Sequence, residues 1–230
     1  MPGRPPKIEV VRNEFDSVRK SSDDLASAMA AFLSGSYQHG NSSLNRKQAE
    51  RIVSFAFLTL IAGWEEFLFW LYLRYMMGAS SPGGFCPTLA VPRSHTLLAA
   101  SRALANNPTF DPETRYFTWK SWSALMSDAQ RHFLGGAPFA RVNASEIQLL
   151  DFAQTIRNRV AHRSKKCINA FAAAAKPHLG LISSAVLPKG TDPGRLLVRP
   201  VIHVFQPNPN QRYYDAYSDL LYRLTRVLAP

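Results

Sequence analysis

The segment 52–77, IVSFAFLTLIAGWEEFLFWLYLRYMM, constrains the fold most strongly, because it is apolar on almost every face of a helix. A helix of this kind has to be covered by other helices or by lipid. Glu65 and Glu66 interrupt the apolar run near its middle, and two carboxylates are costly in lipid. The segment therefore predicts the central helix of a bundle, with no association with a membrane.

The remaining patterns predict a mainly α protein, a bundle of five or six helices with a small β-hairpin-like insertion before the last helix. Residues 1–10 are rich in proline and charge and predict a flexible N-terminal arm, followed by a single domain over 11–230. Two β-prone runs around a turn-rich stretch predict the insertion at 178–206. Helices are expected at about 11–33, 44–77, 93–105, 115–134, 145–175 and 211–228, with a loop at 34–43 and a stop at 206–210. Asn45 or Ser43 is a candidate N-cap of the second helix, and Asn143 or Ser145 is a candidate N-cap of the fifth.

The charge of the chain favours partners that are polyanions. The formal net charge is +11, and arginine supplies 19 of the 27 basic residues. Arginine can contact a phosphate through two hydrogen bonds at once. Nucleic acid is therefore expected ahead of a membrane surface as a partner, although a soluble protein with a basic surface has the same composition.

The cysteines and the N-terminus predict a cytoplasmic protein. Cys86 and Cys167 lie far apart in sequence, which suits a reducing compartment and excludes a disulfide-rich scaffold. Neither cysteine shows the spacing of a metal site, so no metal and no cofactor are expected. The N-terminal stretch MPGRPPKIEV lacks the apolar region of a signal peptide.

The stretch TIRNRVAHRSKK (155–166) combines five basic residues with one histidine. On a helix that turns by about 100° per residue, Arg157, Asn158 and His162 lie about 100°, 200° and 240° from Ile156. Ile156 belongs to an apolar stripe with Leu149, Phe152, Ala153 and Val160. His162 therefore points away from the core side of its helix, which leaves a solvated polar face, an interface or a site.

The sequence RNRVAH (157–162) resembles the R-x(4–6)-H motif of the HEPN superfamily, all-helical domains many of which are ribonucleases. In that family a polar residue, commonly asparagine, follows the arginine, as Asn158 does here, and the motif lies on a late helix. The stretch GWEEFLFW (63–70) resembles the second helix of bacterial HEPN proteins. The resemblance covers roughly residues 10–175 and the last helix, and leaves out the β-prone segment.

The resemblance implies a metal-independent endoribonuclease of the toxin or antiviral-defence type. A histidine that titrates near neutrality suits proton transfer, and an arginine suits the phosphate charge. His162 is thus expected as general base or acid, Arg157 as phosphate clamp, and Asn158 as a group that orients the imidazole or binds phosphate. The family also implies RNA as partner, a homodimer in which two motif helices line one cleft, and an antitoxin or regulatory protein as a further partner.

Other residues around the motif have two interpretations each. Glu65 or Glu66 can pair with Arg157 or tune His162, or can form a structural ion pair within the bundle. The four basic residues that flank the motif predict contacts to the RNA backbone, or an ordinary solvated helix end; they are Arg159, Arg163, Lys165 and Lys166.

Some HEPN toxins carry a tyrosine two residues after the histidine as the target of a nucleotidyltransferase antitoxin. Ser164 occupies that position here, so this route of neutralisation is not supported.

Two further functions compete with the ribonuclease. One is a helical dimer that holds RNA or a nucleotide without cleaving it. The other is a DNA-binding regulator, which is disfavoured because the chain shows no helix-turn-helix spacing. The chain also lacks a P-loop, a Rossmann glycine pattern, a kinase signature and a G-x-S-x-G elbow.

Overall fold

A computed structural model describes residues 7–35 and 44–230. Over this part the protein is mainly helical (63%), with eight α-helices and a small antiparallel sheet before the last helix. This confirms the predicted class, although the helices number eight. They are α1 (Ile8–Leu33), α2 (Arg46–Met76), α3 (Leu97–Ala105), α4 (Trp122–His132), α5 (Ala144–Ala161), α6 (Lys165–His178), α7 (Pro193–Leu197) and α8 (Tyr213–Leu228).

Two of the additional helices have local causes. The expected helix over 145–175 is divided into α5 and α6, because the Ser164 side chain accepts a hydrogen bond from the Cys167 N–H at 3.3 Å and starts a new helix. The short α7 lies in the segment expected to be β. There the Asp192 side chain accepts a hydrogen bond from the Arg195 N–H at 2.9 Å, and Pro193 occupies the first helical position.

The expected hairpin is present, with one strand inside the predicted β-prone run 195–205 and the other strand after it. Strand β1 is Pro200–Val201 and pairs with strand β2, Asn208–Arg212, in antiparallel orientation. The run LISSAVL (181–187), predicted as a strand, is not one. Strand β2 comes from a segment predicted as a stop, because its residues are polar and mostly exposed and so lack the alternation that marks a half-buried strand.

Helix α1 begins three residues before its predicted start. Ile8, Val11 and Phe15 are each at most 2% exposed, so the apolar stripe that holds this helix in the core already starts at Ile8. Residues 8–10 of the predicted flexible arm are therefore helical. The rest of that arm, residues 1–6, and most of the predicted loop, residues 36–43, lie outside the described residues.

Asparagine caps position two helices that matter below. Asn45 Oδ1 accepts a hydrogen bond from the Gln48 N–H at 3.0 Å, and Gln48 Oε1 accepts one from the Asn45 N–H at 2.8 Å. Asn143 and Glu146 make the same reciprocal pair at the start of α5. Both are capping boxes that satisfy otherwise unpaired backbone N–H groups. They confirm two of the N-caps proposed from the sequence.

The chain divides into two compact units, and each unit takes in parts of α1, α2, α5 and α8. The first contains Met1–Asp16, Gly63–Ile147 and Tyr222–Pro230; the second contains Ser17–Ala62 and Gln148–Leu221. In the core of the first, the Tyr72 ring stacks on Phe139 at a centroid distance of 5.2 Å. In the core of the second, Phe57 packs edge-on against Tyr217 at 5.5 Å. Aromatic packing thus dominates both cores.

Helix α2 carries much of the buried apolar surface. It is long and apolar enough to cross a membrane by length and composition, and 61% of its most apolar stretch is buried inside the protein. Glu65 is buried and Glu66 is exposed, both within this apolar stretch. The absence of membrane association remains a prediction.

A buried histidine makes the stability of the second unit depend on pH. His178 is 1% exposed, and burial lowers its pKa from 6.5 to about 4. Its Nδ1 lies 2.8 Å from the Ala174 carbonyl oxygen, which can only accept, so Nδ1 carries the proton. Nε2 then accepts from the Tyr217 hydroxyl at 2.7 Å. Both nitrogens of the neutral ring therefore have hydrogen-bond partners, and a proton added at Nε2 would have no acceptor.

We expect acid to destabilise the protein between pH 6.5 and pH 4. In this window the unfolded chain takes up a proton at His178 and the folded chain does not, so the free energy of unfolding falls as the pH falls. At about 1.4 kcal/mol for each pH unit between the two pKa values, the loss is about 3 kcal/mol. Burial also lowers the pKa of His132, which acts in the same direction.

Urea unfolding at pH 7 and pH 4.5 measures this loss. His178→Gln removes the titration and is expected to flatten the pH dependence, whereas His95→Ala, at an exposed position, should leave it unchanged. Equal losses in the wild type and in His178→Gln would contradict the assignment.

Candidate functional site

The motif lies at the C-terminal end of α5. Arg157 and Asn158 occupy its last turns, and Ala161 is its last residue. His162 follows, with its backbone N–H donating to the Asn158 carbonyl oxygen at 2.9 Å. The capping box at Asn143 fixes where α5 starts, and the cap at Ser164 fixes where the next helix starts. His162 therefore lies in the short connection between two helices.

Arg157 and Asn158 are in direct contact. Arg157 Nη1 donates a hydrogen bond to Asn158 Oδ1 at 3.1 Å, and both side chains are half-buried. The bond restrains the guanidinium and turns the amide oxygen towards it, which leaves the amide N–H groups as donors. A restrained guanidinium beside an amide donor is a suitable group for holding a phosphate.

His162 is exposed, and its ring receives no hydrogen bond from any described residue. Among the described residues, the Arg159 side chain reaches the backbone of His162, where its Nη1 donates to the carbonyl oxygen at 3.4 Å. The expected bond between Asn158 and the imidazole is not formed within the described chain. Because α5 ends at Ala161, helical geometry no longer aligns these two side chains one turn apart.

The basic flank surrounds the histidine. Arg163, Lys165 and Lys166 are exposed and Arg159 is half-buried, and none of them forms an ion pair within the described ranges. Lys165 and Lys166 occupy the first turn of α6, where the helix macrodipole disfavours cations. Helix stability therefore does not explain these two lysines, and their contact with the RNA backbone remains a prediction.

Glu65 and Glu66 lie in the first unit, whereas the motif lies in the second. Glu65 is 8% exposed, and its Oε2 accepts a hydrogen bond from the Tyr116 hydroxyl at 2.6 Å. Glu66 is exposed and accepts from Trp70 Nε1 at 3.4 Å. The partner Tyr116 was not expected from the sequence. A supporting role for either glutamate towards Arg157 or His162 remains a prediction.

One carboxylate of α5 has an altered titration. Partial burial raises the pKa of Asp151, which lies on the helix six residues before Arg157. The Thr155 hydroxyl donates to the backbone oxygen of Asp151 at 2.9 Å and leaves the carboxylate itself to solvent.

A cavity of about 200 Å³ opens beside the motif within the second unit. Its wall combines one face of α2, the end of α5 and the start of α7. The lining residues are Lys47, Arg51, Ser54, Phe55, Arg159, Val160, Arg163, Asp192 and Pro193. Arg159 and Arg163 were expected to bind RNA, but the residues of α2 and α7 were missed. The signal for α2 was available, since Lys47, Arg51 and Phe55 follow one another at four-residue steps and share a helix face.

No group of three or more His, Cys, Asp or Glu side chains that could hold a metal ion occurs in residues 7–35 and 44–230. Cys86 and Cys167 are both free thiols. Comparisons with known proteins find no matching family model, no matching curated protein and no matching solved structure. The resemblance to the HEPN superfamily therefore remains a prediction that depends on Arg157, Asn158, His162 and the helical framework.

Proposed function

We propose that the protein is a metal-independent endoribonuclease of the toxin or antiviral-defence type. The observation that carries the proposal is the hydrogen-bonded pair Arg157–Asn158 next to an exposed histidine, His162. Four basic side chains that form no ion pair with a described residue flank these three residues in sequence. A restrained guanidinium, a free imidazole and an excess of positive charge are the groups that RNA cleavage requires.

The chemistry uses the nucleophile that RNA itself carries. The 2′-oxygen attacks the adjacent phosphorus, a new P–O2′ bond forms, and the P–O5′ bond breaks. His162 takes the proton of the 2′-hydroxyl or supplies a proton to the leaving 5′-oxygen. Arg157 and the Asn158 amide stabilise the charge that develops on the phosphorane. The products are a 2′,3′-cyclic phosphate and a 5′-hydroxyl.

The second proton transfer calls for a second group, and a homodimer supplies it. Because His162 is exposed and its ring has no partner among the described residues of its own chain, a second copy can approach it. Two motifs then line one cleft, one histidine acting as base and the other as acid. We propose such a cytoplasmic dimer, held in check by an antitoxin or a regulatory protein.

Cleavage of RNA in the presence of EDTA tests this function. Purified protein incubated with mixed tRNA and mRNA should cut the RNA so that the upstream fragment ends in a cyclic phosphate. The fragment downstream of each cut should begin with a 5′-hydroxyl group. EDTA removes divalent ions, so cleavage that persists depends on protein side chains. Intact RNA after incubation with folded, dimeric protein would contradict a stand-alone enzyme.

The second candidate function is an RNA- or nucleotide-binding helical dimer without catalysis. It is favoured by one observation, namely that no described side chain orients the His162 ring. A general base usually has a partner that fixes its tautomer. RNA binding without fragments, unchanged by His162→Ala, would identify this function.

A further inference from the structure

The cavity beside the motif has an unbalanced charge. Four basic side chains line it, Lys47 and Arg51 from α2 and Arg159 and Arg163 from α5 and the residues after it, against one carboxylate, Asp192. That carboxylate accepts the hydrogen bond that starts α7. None of the four cations has a carboxylate within ion-pair distance in the described part of the chain. The cavity therefore has the charge of an anion-binding site.

Several arginines elsewhere in the protein form ion pairs with carboxylates. Arg19 pairs with Asp23 at 3.2 Å, and Arg226 pairs with Asp16 at 2.6 Å. Carboxylates thus neutralise these arginines where they support the fold. The cations of the cavity have no such structural partner, so their charge is available to a ligand.

One wall of the cavity is aromatic and unusually open. Phe55 is 45% exposed, although it lies on α2, whose most apolar stretch is 61% buried. The Arg51 guanidinium carbon lies 5.5 Å from the centroid of the Phe55 ring. Val160 and Pro193 complete an apolar floor. An exposed ring between cations is the arrangement on which single-stranded nucleic acid stacks its bases.

The size of the cavity limits its occupant. A volume of about 200 Å³ lies below the range of roughly 300–1,000 Å³ that is typical of sites for drug-sized ligands. One base with its neighbouring phosphates fits this description better than a large free cofactor. The four cations that line the cavity together with this ring match the phosphates on either side of one base.

We propose that this cavity is a nucleotide subsite for single-stranded RNA, in which one base stacks on Phe55 while Lys47, Arg51, Arg159 and Arg163 bind the flanking phosphates. The proposal rests on the proposed function, since it assigns this nucleotide to the RNA that the motif cleaves. On α5, Arg159 lies about 200° from Arg157 around the helix axis. The subsite and the catalytic pair therefore use different faces, and substitutions can separate them.

Binding of an RNA that cannot be cleaved tests the subsite. The probe is a fluorescent single-stranded oligonucleotide with 2′-O-methyl groups on every ribose, titrated with the full chain at several salt concentrations. Phe55→Leu keeps the apolar volume and removes the ring, and we expect it to weaken binding about tenfold. Arg51→Ala should weaken binding as well and reduce the salt slope by about 0.7, the value of one phosphate contact on a single strand.

Arg115→Ala serves as the matched control, because Arg115 is exposed and lies in the first unit. Wild-type affinity in Phe55→Leu and Arg51→Ala would overturn the subsite. Tighter binding of 5′-AMP than of the oligonucleotide would overturn RNA as its ligand. If the wild type cleaves no RNA but Phe55→Leu still loses binding, the subsite stands and the ribonuclease does not. If the wild type cleaves RNA but Phe55→Leu and Arg51→Ala bind the oligonucleotide normally, the ribonuclease stands and the subsite does not.

Discussion

Replacing His162 with alanine is expected to reduce the rate of RNA cleavage at least about 100-fold, the lower limit for loss of a general acid or base. The side chain is exposed and forms no hydrogen bond with a described residue, so the fold should not change. The affinity for the 2′-O-methyl oligonucleotide should also be retained, because His162 does not line the cavity that holds it. The initial rate of fragment formation in EDTA measures the effect.

Arg157 provides the companion test. Arg157→Lys keeps the positive charge but loses the paired donors that contact two phosphate oxygens, so we expect a rate between those of the wild type and Arg157→Ala. His95→Ala is the matched control, an exposed histidine in the first unit. Unchanged cleavage in His162→Ala, or equal losses in His162→Ala and His95→Ala, would rule out the proposed site.

Replacing Gly194 with alanine is expected to lower the free energy of unfolding by about 3 kcal/mol, the upper end of the usual cost of overpacking. A Cβ atom on Gly194 would overlap the Glu50 carbonyl oxygen and lie 2.7 Å from Ser54 Oγ. The obstacle on α2 is backbone, which cannot rotate away. Because the φ angle of Gly194 is not in the left-handed region, space alone sets the cost.

Gly35→Ala is the control for this substitution. Gly35 has a φ of +75°, but nothing lies within 4 Å of the added Cβ. Its cost is therefore limited to the left-handed backbone, about 1 kcal/mol. Urea unfolding compares the two variants. RNA binding supplies a second readout, because displacing α7 moves Asp192 and Pro193, which line the cavity. Equal stability of the two variants would contradict the close packing of α7 on α2.

The parts of the fold that could be predicted are those with local signals. The apolar run of α2 predicts a buried helix, and Asn143 predicts the start of α5 because asparagine caps helices. The break between α5 and α6 was missed, since no glycine or proline marks it and Ser164 is its only signal. Strand β2 was missed because its residues are polar and exposed. Backbone pairing with β1 holds this strand, and its sequence shows no hydrophobic pattern.

The candidate site could also be predicted only in part from the sequence. Arg157 and Asn158 lie at the same end of α5 because they are neighbours in sequence, but the hydrogen bond between them was not predicted. The bond expected between Asn158 and the His162 ring assumed a helix that continues past Ala161, and α5 ends there. The cavity required α2, α5 and α7 to meet, and its lining residues on α2 lie more than 100 positions before those on α5 and α7. The spacing of residues within one segment carries no information about which other helices that segment contacts.

The borders between the two units have a consequence for truncation of the chain. The chain passes from one unit to the other at 16/17, 62/63, 147/148 and 221/222, and each of these points lies inside a helix. A truncated variant keeps one continuous piece of chain and is best tolerated when its new end lies in an exposed loop. Neither unit is such a piece, so neither can be produced alone by shortening the chain without severing helices.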